Sequence, residues 1–542
     1  PEKSERSPRW GPDGTWFVFL SNRDAPASAA GQNQLYLMRP DGGEARPITT
    51  AREGVLNFEF SRDGQWLVYR SGKSGEEQLY RLPVATITES RPVQVTRQAA
   101  GVGQWQIARD SRRIYFIAAD TLATDERQRR EKRFTVNIQN METPLASLWS
   151  VDLGPDSAGA RRLTSDPSIT VSGFTLSPDS RWVGFRGTSA ARYERNITES
   201  GLYTDLYLLE AATGAIERLT NNREVGENGP SFSPDGRWIA FSAPDDMTRY
   251  TMSSQRVYLR AVADRGGSWR KLGQSYDGDV TAGFWSPDSR TLYYNTGVRA
   301  TTQLMALDIE RNTVRQVTSE RAAVSVSRDE ESGVVLVNYS DPATPPTLFS
   351  VPSLEQVATR ASWRQLVDAN PQVRQLALGT AEEVNWRSTD GKLVGGVLLR
   401  PVGYRAGQRY PLVVAIHGGP ASADVLSFNG GYGSQVYAGA GYAVLMPNYR
   451  GSTNYGEAHE TAIVGNYFPQ AYDDIMTGVD HLIAEGIVDG DRMGVFGWSA
   501  GGHWSNWILT HTDRFKAISS GAGTSNWVSM YAQSDVQRNR QF

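Results

Sequence analysis

Gly497-Trp498-Ser499-Ala500-Gly501 stands between two segments of different periodicity, and that junction decides how the C-terminal part of the chain is read. Arg492-Met493-Gly494-Val495-Phe496 reads as a short buried strand, and the run from Ala500 to Leu509 reads as a helix packed behind it. Ser499 then occupies the turn. A strand that turns straight into a helix brings its backbone so close to its neighbours that only small residues fit, which accounts for glycines two before and two after the serine. The hydroxyl is thrust out at the helix N-terminus, where free N–H groups and the helix dipole favour a developing oxyanion. In this setting the pentapeptide implies a nucleophilic serine at the tip of an elbow.

Working outward, Pro411-Leu412-Val413-Val414-Ala415-Ile416 is an apolar run of buried-strand type that ends in His417-Gly418-Gly419-Pro420, where exposed backbone N–H groups are expected. The two oxyanion donors would be the N–H of Gly419 and that of Ala500. A further strand, Gly441 to Met446, runs into Pro447-Asn448-Tyr449-Arg450-Gly451-Ser452, and Gln470 to Glu485 carries Ile475, Val479, Leu482 and Ile483 at helical spacing. Lys516 to Ser520 reads as the next strand. This alternation belongs to a mainly parallel α/β sheet. Just before it, Val384–Arg387 and Leu393–Leu399 form a hairpin turned at Thr389-Asp390-Gly391.

The preceding two thirds has another texture. Seven aspartate-centred turns recur at Asp13, Asp63, Asp110, Asp179, Asp235, Asp288 and Asp329, at intervals of 41 to 69 residues. Each is followed by a second mark: Leu35-Tyr36, Leu79-Tyr80, Leu148-Trp149, Leu206-Tyr207, Val257-Tyr258, Leu304-Met305 and Leu348-Phe349. That period is the size of a four-stranded blade, and one blade cannot bury both of its faces alone, so a seven-bladed β-propeller is expected over residues 1–355. A linker follows over 356–380, then an α/β-hydrolase domain over 381–542. The long third interval holds a charged insertion, 121–134, read as solvated.

Composition narrows the function. With 56 basic against 59 acidic residues the net charge is −3, which gives no field to steer nucleic acid. No apolar stretch approaches the length of a membrane span. Cysteine is absent, so disulfides, cysteine nucleophiles and thiolate metal sites are excluded. The chain starts at Pro1 and not at Met; a periplasmic or secreted location and a cytoplasmic one both remain open. The sequence leaves the oligomeric state open as well, a homo-oligomer included.

A propeller followed by the motifs His417–Pro420, Met446–Ser452 and Gly497–Gly502 resembles the prolyl oligopeptidase family of serine peptidases, most of all its acylaminoacyl-peptidase and dipeptidyl-peptidase branches. The resemblance implies oligopeptide substrates screened by the propeller, attack by Ser499, an acyl-enzyme, and no metal or organic cofactor. It places Trp527, with Tyr531 beside it, in the S1 pocket; both residues also suit an aromatic core. Dipeptidyl peptidases hold the substrate amine with propeller acids, for which Glu76-Glu77 and Glu194 are the candidates here, against the simpler reading of solvated turn charge.

The family's order is Ser, then Asp, then His, yet only 43 residues follow Ser499. Asp513 and Asp535 precede the strand after which the triad acid is expected, and none of the five histidines, His417, His459, His481, His503 and His511, is expected to act as base. A C-terminally incomplete hydrolase domain, whose acid and base come from a missing segment or a second chain, is the expectation. Two other functions stay open: an esterase using the same machinery, and a catalytically dead propeller that binds ligands.

Overall fold

The computed structural model of the chain describes residues 4–23, 31–121, 124, 128–129, 132, 145–154, 159–189, 204–222, 226–227, 229–249, 252–428 and 430–534. Most of the insertion at 121–134 lies outside them, as do Glu194 and Asp535. Two compact units make up the chain, Pro1–Ile239 with Val262–Gly267, and Ala240–Ala261 with Ser268–Phe542.

Seven four-stranded antiparallel blades succeed one another over 5–47, 55–94, 105–162, 169–218, 231–272, 284–316 and 323–365, the last two joined by a parallel pairing of Thr302 with Ala323. This is the propeller. The aspartate turns all join the first and second strands of a blade, and the aromatic or aliphatic second marks all fall on the third. In four blades the turn is closed by a serine two residues before the aspartate. Ser61, Ser177, Ser233 and Ser286 donate to Asp63, Asp179, Asp235 and Asp288 at 2.5–2.6 Å. The same serine oxygens accept the N–H of Trp66, Trp182, Trp238 and Thr291, each at 2.9 Å. Side chains thus satisfy backbone groups that a tight turn would leave bare.

Apolar side chains from neighbouring blades share cores at several of the junctions. Val18, Leu20 and Leu35 of the first blade pack with Phe58, Leu67 and Tyr69 of the second. Tyr115 and Leu148 of the third likewise meet Val171, Phe174 and Phe185 of the fourth, and Tyr293 and Leu304 of the sixth meet Val324, Val337 and Phe349 of the seventh. Past the last long strand, Arg364–Gln365 still pairs with the seventh blade, and short 3₁₀ turns carry the chain to residue 375.

The hydrolase sheet has strands β1 (Ala381–Arg387), β2 (Leu393–Leu399), β3 (Tyr410–Ile416), β4 (Ala443–Asn448), β5 (Val488–Trp498) and β6 (Ala517–Gly521). Their order is β1-β2-β4-β3-β5-β6, with β1 and β2 antiparallel to their neighbours and the rest parallel. Helix α1 (Gly430–Gly439) links β3 to β4; α2 (Glu457–Glu460) and α3 (Pro469–Ala484) lie between β4 and β5; α4 (Ala500–His511) links β5 to β6; α5 (Trp527–Gln533) follows. Alternation along β3 shows why the run is apolar throughout. Leu412, Val414 and Ile416 join the core made with Ile475 and Val479 of α3 and Trp504 and Ile508 of α4. Ala415 points to the opposite face, with Val397, Val444, Met446 and Ala438 of α1.

One propeller hairpin belongs to that second face. Ala300, at the tip between two strands of the sixth blade, is 0% exposed among Val397, Leu399, Leu426 and Met446. Its carbonyl accepts the N–H of Leu426 at 2.8 Å. Beside it Arg299 donates to Glu383 at 2.6 Å, and its own carbonyl accepts from Asn454 at 3.0 Å.

Candidate active site

From β3 the chain steps by way of α1 to β4 on one side, and from β4 by way of α3 to β5 on the other. The carboxyl ends of β3 and β5 therefore flank the switch point, where a crevice opens in such sheets. Ile416 and Gly497 are register partners, so the segments leaving the two strands, His417–Gly419 and Trp498–Ser499, emerge side by side.

Ser499 has φ 58° and ψ −119°, a left-handed conformation that a non-glycine residue adopts at a cost of roughly 1–3 kcal/mol. Its N–H donates to Gly521 at 2.9 Å and its carbonyl accepts from His503 at 3.0 Å, so both sides of the turn are tied to regular structure. The crowding expected of an elbow is present: a Cβ on Gly501 would sit 2.0 Å from the Ile416 carbonyl oxygen, and one on Gly497 would sit 2.4 Å from Gly501. A Cβ on Gly418 would come 2.8 Å from the Trp498 carbonyl and 3.3 Å from the Ser499 Cβ. The loop after β3 is pressed against the serine.

Gly418 donates its N–H to the Tyr432 hydroxyl at 3.2 Å. The N–H of Gly419 has no partner among the described residues, and Ala500 opens α4, whose first-turn N–H groups have no intrahelical acceptor. Those two are the donors expected from the sequence. Trp527 packs edge-on against Tyr467 at 5.1 Å and against His503 at 5.1 Å, one turn along α4 from the serine. Tyr531, one turn further on α5, is 43% exposed. Of the acidic candidates, Glu76-Glu77 stays with its own turn: Glu76 lies 3.7 Å from Lys73, and Glu77 accepts the N–H of Gly75 at 3.0 Å.

Each imidazole can be placed. His417 is buried, and burial pushes its pKa down to about 4, so the ring is neutral near pH 7. Its Nδ1 lies 2.8 Å from the Gly418 carbonyl, which can only accept, so Nδ1 carries the proton and Nε2 accepts from the Ser452 hydroxyl at 2.9 Å. His459 bonds the Asn448 carbonyl at 3.1 Å, His503 the Tyr467 hydroxyl at 3.0 Å, and His511 the Trp507 carbonyl at 2.8 Å. His481 sits in the last turn of α3. Asp513 is exposed on the loop before β6.

Sequence reasoning missed the buried polar network behind this loop. Tyr449 donates to the His417 carbonyl at 2.8 Å and stacks on its ring at 4.5 Å, and next to Tyr449 the Arg450 guanidinium is held by Asp474 of α3, which is 0% exposed. The signal available was Asp474 itself, one residue before Ile475 on the apolar side of the helix.

Residues 427–541 match the sequence profile of the prolyl oligopeptidase family. Over that stretch the chain matches a family of serine peptidases. The prolyl oligopeptidase relatives include an uncharacterized peptidase YuxL of Bacillus subtilis, 28% identical across 99% of this chain and 75% of its own length. Dipeptidyl-peptidase 5 of Porphyromonas gingivalis is 25% identical across 97% of this chain and 78% of that protein. Among solved structures, an acylaminoacyl peptidase of Pyrococcus horikoshii superposes with a TM-score of 0.67 at 19% identity, over 99% of this chain and 80% of that one, and so shares the fold. The propeller followed by an α/β-hydrolase is the fold that this chain has in common with that structure.

Proposed function

We propose that this peptidase releases residues from the N-terminus of short peptides through an acyl-enzyme on Ser499, in the manner of a dipeptidyl-peptidase or an acylaminoacyl-peptidase. The observation that carries the reading is the Ser499 turn, held at φ 58° with Gly418 packed against it and the first turn of α4 behind it. The Ser499 oxygen attacks the scissile carbonyl, the oxyanion is received by the N–H groups of Gly419 and Ala500, the amine leaves, and water then cleaves the ester. Trp527 and Tyr531 are assigned to the S1 wall. Relatives named dipeptidyl-peptidase 5 support amino-terminal dipeptides as the first substrates to try. The hydrogen bonds of His417, His459, His503 and His511 support a general base, and with it a triad acid, from outside residues 1–542, on a further segment or a second chain.

The test is fluorophosphonate labelling of the full-length protein with mass mapping, followed by product analysis on free and N-acetylated peptide libraries. Label on Ser499, lost in Ser499→Ala, together with amino-terminal products is expected. Absence of label would point instead to a ligand-binding propeller with a silent hydrolase, and cleavage of esters without amides to an esterase.

A further inference from the structure

Two consecutive glycines cannot hold themselves still: Gly418 and Gly419 have more backbone freedom than any other pair of residues would. The reaction nevertheless needs their N–H groups fixed to within a fraction of an ångström. The restraint comes from His417, which is gripped from two directions. Tyr449 donates to its carbonyl at 2.8 Å and stacks on its ring, while the Ser452 hydroxyl donates to Nε2 at 2.9 Å. Both gripping residues belong to one tight turn, closed by the Ser452 N–H on the Tyr449 carbonyl at 2.9 Å.

Arg450 and Gly451 are the two residues inside that turn. Asp474 accepts the Arg450 guanidinium through Nε at 2.9 Å and Nη2 at 2.7 Å, and also the Arg450 peptide N–H at 2.8 Å. The last bond matters most, because it fixes the main chain between Tyr449 and Ser452 and not only a side chain. Arg450 is 3% and Asp474 0% exposed. Burying such a pair costs enough desolvation that an apolar pair would give at least equal stability, so stability alone is a poor account of it. The remaining donors are also engaged: Nη1 reaches Asp390 at 2.5 Å and Nη2 reaches Ser388 at 3.1 Å, tying the turn to the β1–β2 hairpin.

We propose that Asp474 is a positioning residue of the peptidase, which acts through Arg450, Tyr449, Ser452 and His417 to hold the Gly418–Gly419 loop against Ser499. This rests on the reading of Ser499 as nucleophile. Asp474→Asn keeps the shape and weakens the hold. In the full-length active protein its kcat should fall about 10- to 100-fold with KM changed less than about twofold, the pattern of an interaction made only in the transition state. Hydrogen exchange of the amides at 417–421 should quicken about tenfold while β3 and β5 keep their protection. Ser452→Ala, which leaves the ion pair intact, should move both readouts the same way, and the double variant should be little worse than the more damaged single one, because both cut the same chain of contacts.

Wild-type kcat per folded molecule and unchanged exchange at 417–421, with only a lowered melting temperature, would overturn the proposal. Should Asp474→Asn not fold, Ser452→Ala decides alone by the same two readouts. Should the wild type neither turn over peptides nor label at Ser499, the assignment of the nucleophile fails, and the exchange at 417–421 still decides whether Asp474 holds the loop.

Discussion

His417 keeps its only proton on Nδ1 and commits its lone pair to Ser452, which makes it a strut and not a base. Its burial is one of several that couple stability to pH. Glu227, Asp424 and Glu460 are each pushed up to about 7 by burial. For Glu460 the neighbouring charges of Asp279 and Glu457 add to that rise. A raised acid holds its proton longer in the folded than in the unfolded chain, so each of the three contributes stability that is full below the ordinary carboxylate range and lost as pH rises toward about 7. His417 has the opposite sign but acts only as pH drops from its ordinary range toward about 4. From about pH 6.5 to pH 8, above the range in which His417 acts, the melting temperature should therefore decline with pH, and Glu460→Gln should flatten part of that decline and melt higher than wild type at pH 8; an unchanged slope would show that Glu460 does not hold its proton in the folded state. The strained turn at Ser499 was legible from five residues because an elbow is local. Arg450 and Asp474 were not, since their contacts run 24 residues to one partner and 60 to another, and charged side chains in a sequence read most simply as solvated.

At the scale of elements, turn chemistry carries the propeller. In four of the turns the serine two before the aspartate serves as donor and acceptor at once, so its loss should strand both the aspartate oxygen and the N–H that it capped. Ser233 is 0% exposed, and Ser233→Ala should cost about 1–3 kcal/mol in chemical denaturation, against less than about 0.5 for an exposed serine such as Ser74 outside this pattern. The first and third turns lack the serine and close on the aspartate alone, for example through the Arg112 N–H on Asp110 at 3.0 Å, while the seventh has Ser327 at that position and bonds Asp329 to the Ser332 hydroxyl at 2.7 Å. The strands of the sheet were read from the same local signal, apolar runs bounded by glycine and proline. Their ends moved by a few residues, most at β5, which begins at Val488 where only Arg492–Phe496 had the apolar character of a strand. Pairing through main-chain bonds extends a strand past its apolar part.

For the whole molecule, the repeat announced the number of blades, and the resemblance adds the expectation that the propeller screens substrates. Screening by the propeller predicts a sharp dependence on substrate size: short peptides should be cut, and a folded protein carrying the same N-terminal sequence should be left whole. Equal turnover of both, measured by product mass, would remove the gating role. Net charge of −3 predicts in addition that this selection is by size more than by long-range attraction.

Ala300 has a further consequence for how such a protein can be taken apart or recombined. Its methyl group completes an apolar surface of the hydrolase sheet, between Val397, Leu399 and Met446, although it arrives on a hairpin of the sixth blade. A hydrolase fragment beginning at residue 381 would leave that surface bare to water and prone to aggregate, whereas a propeller exchanged from a relative would dock only if it brought its own small-residue tip to the same place. The two halves are separate in sequence, yet they are not interchangeable parts.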